Sequence, residues 1–155
     1  MLPVIASKIS IIRRYNFPVD FGKSWKGKRI LGSHKTVRGL LVGIVGGMLI
    51  AFVEQIYMPK IFLDANPFIV GFLLSFGALA GDSVKSFFKR QVGISSGKSW
   101  FPFDQLDYIL GGSILSLLAI QLPIGDYIRI GILYFLLHLV VSYVGFLLSL
   151  KSSAL

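Results

Sequence analysis

A chain of 155 residues that is 54% hydrophobic and only 15% charged, with a mean hydropathy of +0.75, is too apolar for a soluble domain, where charged residues alone approach about a quarter. The absence of cysteine excludes disulfide frameworks, thiolate nucleophiles and Cys-based zinc or iron–sulfur centres. A net charge of +9 asks for an anionic partner, and because lipid headgroups, nucleotides and nucleic acid all qualify, the placement of the charge has to choose among them.

The first apolar stretch, Met1 to Ile12, is interrupted by Lys8 and is too short to span a bilayer unaided, which predicts a tilted or partial helix. It lacks the basic n-region and small-residue cleavage site of a signal peptide. A basic loop follows with Arg13, Arg14, Lys23, Lys26, Lys28, Arg29, Lys35 and Arg38. Its glycines, Gly22, Gly27 and Gly32, allow close backbone approach, but the spacing is not that of a Walker loop, since no helix-starting Gly-Lys-Thr follows a strand. For Lys23, Lys26 and Lys28 attraction to anionic lipid is a sufficient explanation. The run Lys35-Thr36-Val37-Arg38-Gly39 stands at a helix start and points more specifically to a polyphosphate site.

Four apolar segments have lengths near the roughly 20 residues that cross a hydrocarbon core: Val37 to Met58, Pro67 to Phe87, Leu106 to Leu122 and Tyr127 to Leu150. Turns around Lys60 to Pro67 and Leu122 to Asp126 connect antiparallel neighbours. The predicted fold class is an all-α polytopic integral membrane protein, a bundle of four to five transmembrane helices with two basic cytoplasmic loops. Cations crowd the loop before Val37 and the loop holding Lys85, Lys89, Arg90 and Lys98, whereas Lys60 with Asp64 and Asp126 with Arg129 mark the other side. By the positive-inside rule both basic loops and Lys151 are cytoplasmic. Glycines inside the helices, among them Gly43, Gly47, Gly71, Gly77, Gly111 and Gly112, are expected to permit close helix packing in lipid; Gly81, beside an acid, is read instead as a point of helix loosening.

The stretch from Gly81 to Asp107 carries the chemistry. Asp82 lies about fifteen residues into its helix, or about 22 Å along it, still within the inner leaflet. An acid there is costly unless it is paired, hydrated or bound to an ion. Lys85 and Lys89 share its face at steps of three and four residues, while Phe87 and Phe88 turn away. Arg90 emerges at the surface. Beyond a Gly/Ser connection and the interfacial aromatics Trp100, Phe101 and Phe103, Pro102 is expected in the first helical turn, which sets Asp104 and Asp107 on one face. One carboxylate at a helix start is ordinarily a cap or dipole partner. Two of them across from Asp82 make an oxygen-only set suited to Mg2+ bridging phosphate oxygens; zinc would want His or Cys. His138 reads as a packing residue and His34 as a weaker phosphate contact.

Taken together, Gly81-Asp82, Lys85-Ser86-Phe87-Phe88-Lys89-Arg90 and Pro102-Phe103-Asp104-Gln105-Leu106-Asp107 resemble the signature of membrane CTP-dependent cytidylyltransferases that make CDP-linked lipids. Phosphatidate cytidylyltransferases carry a Gly/His-rich stretch after the proline and an Arg between the acids, where this chain has Phe103 and Gln105. The departures match the shorter archaeal branch, the CDP-archaeol synthases, which Pro18-Val19-Asp20-Phe21-Gly22-Lys23 and Gly27-Lys28-Arg29-Ile30-Leu31-Gly32 with Lys35-Thr36 also resemble. The resemblance covers nearly the whole chain as a single domain, residues 1–155. It implies that CTP and 2,3-bis-O-geranylgeranyl-sn-glycerol 1-phosphate give CDP-archaeol and pyrophosphate at the cytoplasmic side of the cell membrane. It further implies catalytic roles for Asp82, Lys85, Lys89, Arg90, Asp104 and Asp107, with Mg2+ on Asp82, Asp104 and Asp107. The CTP phosphates would lie on Lys28, Arg29, Lys35, Thr36, Arg38, Lys89 and Arg90. Neither nucleic acid nor an obligate protein partner is expected. A phosphatidate-specific enzyme and a non-catalytic membrane adaptor are the alternatives.

Overall fold

The computed structural model describes residues 17–32, 35–62, 64–95 and 98–147; the expectation for Met1 to Ile12 and that for His34 lie outside the described residues. A two-stranded antiparallel hairpin, β1 (Ser24–Trp25) and β2 (Lys28–Arg29), precedes helix α1 (Val37–Tyr57). A short 3-10 turn at Pro59–Phe62 leads to α2 (Pro67–Gln91), followed by α3 (Phe103–Ser116) and α4 (Ile124–Leu147).

Local chemistry sets these boundaries. The Thr36 hydroxyl accepts the Gly39 N–H at 3.1 Å and so caps α1, while Asn66 accepts from Phe68 N–H at 2.9 Å ahead of Pro67, the first residue of α2. Helices α1, α2 and α4 are each long and apolar enough to cross a membrane, with 21, 25 and 24 residues. Large aliphatic residues such as Leu133, Leu137 and Val140 stand exposed on α4, whereas Lys89, Gln105 and Ser142 are buried. Apolar outside and polar inside is the arrangement a bilayer favours.

The third predicted span is corrected. Helix α3 has 14 residues, about 21 Å, and stops well short of Leu122. Its end tightens into three-residue steps, with Leu118 N–H on Leu115 O and Ala119 N–H on Ser116 O, and no regular structure follows between Ile120 and Pro123, which disfavours a helical residue before it. The other end also moves: the helix starts at Phe103 and Pro102 stands just outside as its N-cap residue. Membrane-length helices among the described residues are therefore three rather than four.

Glycine contacts hold the bundle together. A Cβ at Gly71 would stand 2.7 Å from Met48 Cα on α1, and one at Gly47 would stand 2.6 Å from Ser75 Cβ on α2. Between α2 and α3, Gly77 abuts the Gly111 carbonyl and Gly81 abuts the Asp107 carbonyl. Gly81 is therefore a close-packing residue, not a point of loosening: without a Cβ it lets the two acid-bearing helices touch backbone to backbone. At the opposite end, Ala51, Phe62 and Val70 form a small apolar cluster with Ala65, Ala119 and Ile120.

Candidate active site

The basic loop is ordered around one carboxylate. Asp20 Oδ1 accepts Gly22 N–H and pairs with Arg29 Nη2, both at 3.0 Å, and Oδ2 accepts Leu31 N–H at 3.0 Å. Burial alone would raise its pKa, but these donors outweigh burial and hold the carboxyl below its usual range. The hairpin turns through left-handed residues, Lys26 at φ 50° and Gly27 at φ 76°. Val19 N–H to Lys35 O at 2.8 Å and Val37 N–H to Phe17 O at 2.9 Å tie the loop ends together and carry Lys35 towards α2. Lys28 Nζ reaches the Gln91 carbonyl at 2.6 Å and fastens the hairpin to the end of that helix.

Three segments then meet. Asp82, Lys85 and Lys89 project from α2, Asp104 and Asp107 from the first turns of α3, and Lys35 from the loop. Lys35 Nζ pairs with Asp82 Oδ2. Lys85 Nζ lies 3.1 Å from Asp82 Oδ1, 2.9 Å from Asp104 Oδ1 and 2.6 Å from Asp107 Oδ2. Lys89, only 6% exposed, holds both oxygens of Asp104 at 3.0 and 3.2 Å. Asp104 Oδ2 also accepts Trp100 N–H at 2.7 Å, so this acid serves the helix start as well as the cluster. Burial, helped by the neighbouring Lys85 and Lys89 charges and opposed by Asp107 and Asp104, lowers the Lys35 pKa to about 8.

The three acids named from the sequence thus converge, and the cationic point between them is filled by the Lys85 ammonium. Among the described residues no group of three or more His, Cys, Asp or Glu side chains closes on a common metal position. The donor set nevertheless suits a hard cation: all of it is carboxylate oxygen, and Asp107 Oδ2, though near Lys85, is buried with no aligned hydrogen-bond donor.

The remaining predicted phosphate contacts take other partners. Arg29 is spent on Asp20, Lys28 on the Gln91 carbonyl, and the Thr36 hydroxyl on the α1 cap. Arg90 turns from the cluster to donate to the Ile94 carbonyl in its own loop. Arg38, half-buried in the first turn of α1, lies on the segment adjoining Lys35. Sequence reading gave no individual role to Asp20, two of whose three donors are backbone N–H groups that composition does not reveal, nor to Gln105, fully buried on α3. His138 packs on Tyr108 with ring centroids 5.6 Å apart, as expected of a packing residue.

A groove of about 720 Å³ runs between α2 and α3, from Val92, Trp100 and Phe103 past Lys85 and Asp107 of the charged cluster to Phe76, Ile114 and Leu115.

A family profile described as CarS-like, CDP-archaeol synthase, matches residues 1–154. CDP-archaeol synthase of Methanospirillum hungatei is 37% identical, aligning 97% of this chain with 98% of that protein. The enzyme of the same description from Pyrococcus furiosus is 33% identical over 87% of this chain and 81% of its own length. A solved structure of an intramembrane enzyme for archaeal membrane lipids biosynthesis superposes with a TM-score of 0.72 at 30% identity, covering 90% of this chain and 87% of that one. With a membrane bundle, a charged cluster built on its helices and matches along nearly its whole length, this chain belongs to the CDP-archaeol synthase family, cytidylyltransferase enzymes of archaeal membrane lipid biosynthesis.

Proposed function

We propose that the protein transfers the cytidylyl group of CTP to 2,3-bis-O-geranylgeranyl-sn-glycerol 1-phosphate, forming CDP-archaeol and pyrophosphate with Mg2+ at the cytoplasmic face of the membrane. The observation that carries this reading is the meeting of Lys35, Lys85 and Lys89 with Asp82, Asp104 and Asp107 beside an apolar groove that Lys85 and Asp107 help to line. Cations and carboxylates in one cluster suit a triphosphate; a groove in apolar helices suits a lipid.

In this reading a phosphate oxygen of the lipid attacks the α-phosphorus of CTP, a new P–O bond forms, and the bond to the bridging α–β oxygen breaks to release pyrophosphate. No protein nucleophile is required, and a phosphomonoester is already largely ionised near neutral pH, so no general base is assigned. Asp82, Asp104 and Asp107 would hold Mg2+, which supplies charge neutralisation on phosphate oxygens. Lys85, released from the acids, and Lys35 face the triphosphate and stabilise charge on the departing pyrophosphate. Lys89 keeps Asp104 ionised and oriented. The cytoplasmic assignment follows from the basic loops lying at the same end as the cluster.

Substituting Asp82→Asn keeps the shape and removes the charge. Magnesium-dependent transfer of label from CTP to lipid should fall by at least about a hundredfold while the detergent-solubilised protein elutes and melts as the parent does. Near-normal transfer by this variant would remove Asp82 from the site. Running the assay with prenyl-ether and acyl-ester lipid phosphates in parallel decides the acceptor: preference for the ester would replace the archaeal lipid with phosphatidate.

A further inference from the structure

One oxygen of each acid in the cluster faces the same ammonium. Asp82 Oδ1, Asp104 Oδ1 and Asp107 Oδ2 stand 3.1, 2.9 and 2.6 Å from Lys85 Nζ. Each acid is also held from a second side that does not involve Lys85: Asp82 Oδ2 by Lys35, Asp104 Oδ2 by Lys89 and the Trp100 N–H, and Asp107 Oδ1 by the Tyr108 N–H at 2.6 Å. The carboxylates are therefore anchored from outside, and Lys85 takes the centre they share. The spacing is that of an ammonium, since Mg2+ draws carboxylate oxygens to about 2.0–2.1 Å. The charges match as well: the carboxylates of Asp82, Asp104 and Asp107 face the ammoniums of Lys35, Lys85 and Lys89, so the cluster is formally neutral as it stands.

We infer that Lys85 is the cluster's built-in counter-ion, holding the acids closed to a free divalent cation until the triphosphate of CTP draws its ammonium away, so that the metal is admitted together with the nucleotide. The inference rests on the proposed magnesium-dependent transfer from CTP and deepens it. Free Mg2+ cannot take the centre without expelling Lys85, and a largely buried ammonium stripped of its carboxylates needs another anion at hand. Metal alone supplies none and would leave an excess of positive charge among Lys35, Lys85 and Lys89; a triphosphate supplies it in the same step. Lys85 has the means to move. Its four-carbon stem is flexible, and whereas Lys89 grips both oxygens of Asp104, Lys85 shares single oxygens of separate acids. The outer contacts keep Asp82, Asp104 and Asp107 aimed at the centre while that exchange takes place. Lys85 thus orders the binding steps, in addition to meeting phosphate charge afterwards.

The test reads metal binding directly on the full-length protein in detergent, with Mn2+ as the probe, no nucleotide present, and free Mn2+ measured by its electron paramagnetic resonance signal. Lys85→Met removes the ammonium at similar length. Lys85→Gln also removes it but leaves an amide to donate to the acids, and it carries the same prediction if the first variant does not fold. A neutral variant should bind Mn2+ at least about tenfold more tightly than the parent, and millimolar Mg2+ should raise its melting temperature by several degrees while hardly moving the parent's. Lys85→Arg, which restores the charge, should return Mn2+ affinity to within about twofold of the parent's. In turnover by the parent, an about tenfold change in free Mg2+ at constant Mg·CTP should alter the initial rate by less than about twofold. Neutral variants that bind Mn2+ no better than the parent, or a parent rate that climbs with free Mg2+, would overturn the inference. The function reading fails separately, when the parent transfers no label from CTP to lipid, and that result leaves the Mn2+ comparison standing.

Discussion

Asp20 shows how a residue with no direct part in chemistry shapes a site. Its two oxygens gather Gly22, Arg29 and Leu31, and the loop closed in this way delivers Lys35 to Asp82. Removing the acceptor from the buried Leu31 amide costs about 1–3 kcal/mol. Asp20→Ala should therefore loosen the hairpin, raise KM for CTP several-fold and leave kcat nearly unchanged, since the groups of α2 and α3 stay in place. A fall in kcat with KM intact would contradict that role. The pH dependence has a definite sign. Burial opposes ionisation of Asp20, but the Gly22, Arg29 and Leu31 donors hold its pKa below the ordinary 3.8, so the folded loop binds fewer protons than the open chain. Its stabilising contribution is thus complete above about pH 4 and is lost as pH falls through the lowered value. Hydrogen exchange at Leu31 should accelerate in that acid window beyond the intrinsic trend, and Asp20→Ala should abolish the difference. Lys89 illustrates the same logic in a drier setting: a buried ammonium holding two oxygens of one carboxylate cannot lose that partner without a penalty of about 3–5 kcal/mol.

Between elements, the α2–α3 contact decides whether the acids and lysines meet. Gly77 and Gly81 pack on the backbone of Gly111 and Asp107, so a side chain at either position has no flexible neighbour to displace. Overpacking a tight core costs about 1–3 kcal/mol, and a clash with backbone belongs at the upper end. Gly81→Val should therefore lower the melting temperature and abolish turnover together, as the helices separate and Asp107 withdraws from Lys85. Gly125→Ala is the matched control, because a Cβ there meets open space, and it should leave both measurements unchanged. The spacing of Asp82, Lys85 and Lys89 was legible beforehand because a helix puts such steps on one face whatever surrounds it. The early end of α3 was not, since its apolar composition continues past Ser116 while the backbone turns.

Across the whole molecule, charge asymmetry and the candidate site coincide: the hairpin, the α2 terminus and the acid-bearing start of α3 all lie at one end, and the apolar cluster around Phe62 lies at the other. The chain lacks cysteine, so single replacements report sidedness without background. In intact cells, Ser24→Cys and Ser95→Cys should resist a membrane-impermeant maleimide and react only after permeabilisation, whereas Asp64→Cys should label from outside. The reverse pattern would place the cluster on the external face. The sequence by itself determined the membrane class, three membrane-length segments, the basic loops and the acids that come together, because composition and helical spacing act locally and need no partner. Only the tertiary structure decided that a lysine ammonium sits among the three carboxylates, that Asp20 organises the loop and that a groove opens beside the charges. The first and last depend on how near two helix backbones come, a distance set by glycine contacts between α2 and α3, and the second on backbone donors that only the folded loop brings to Asp20.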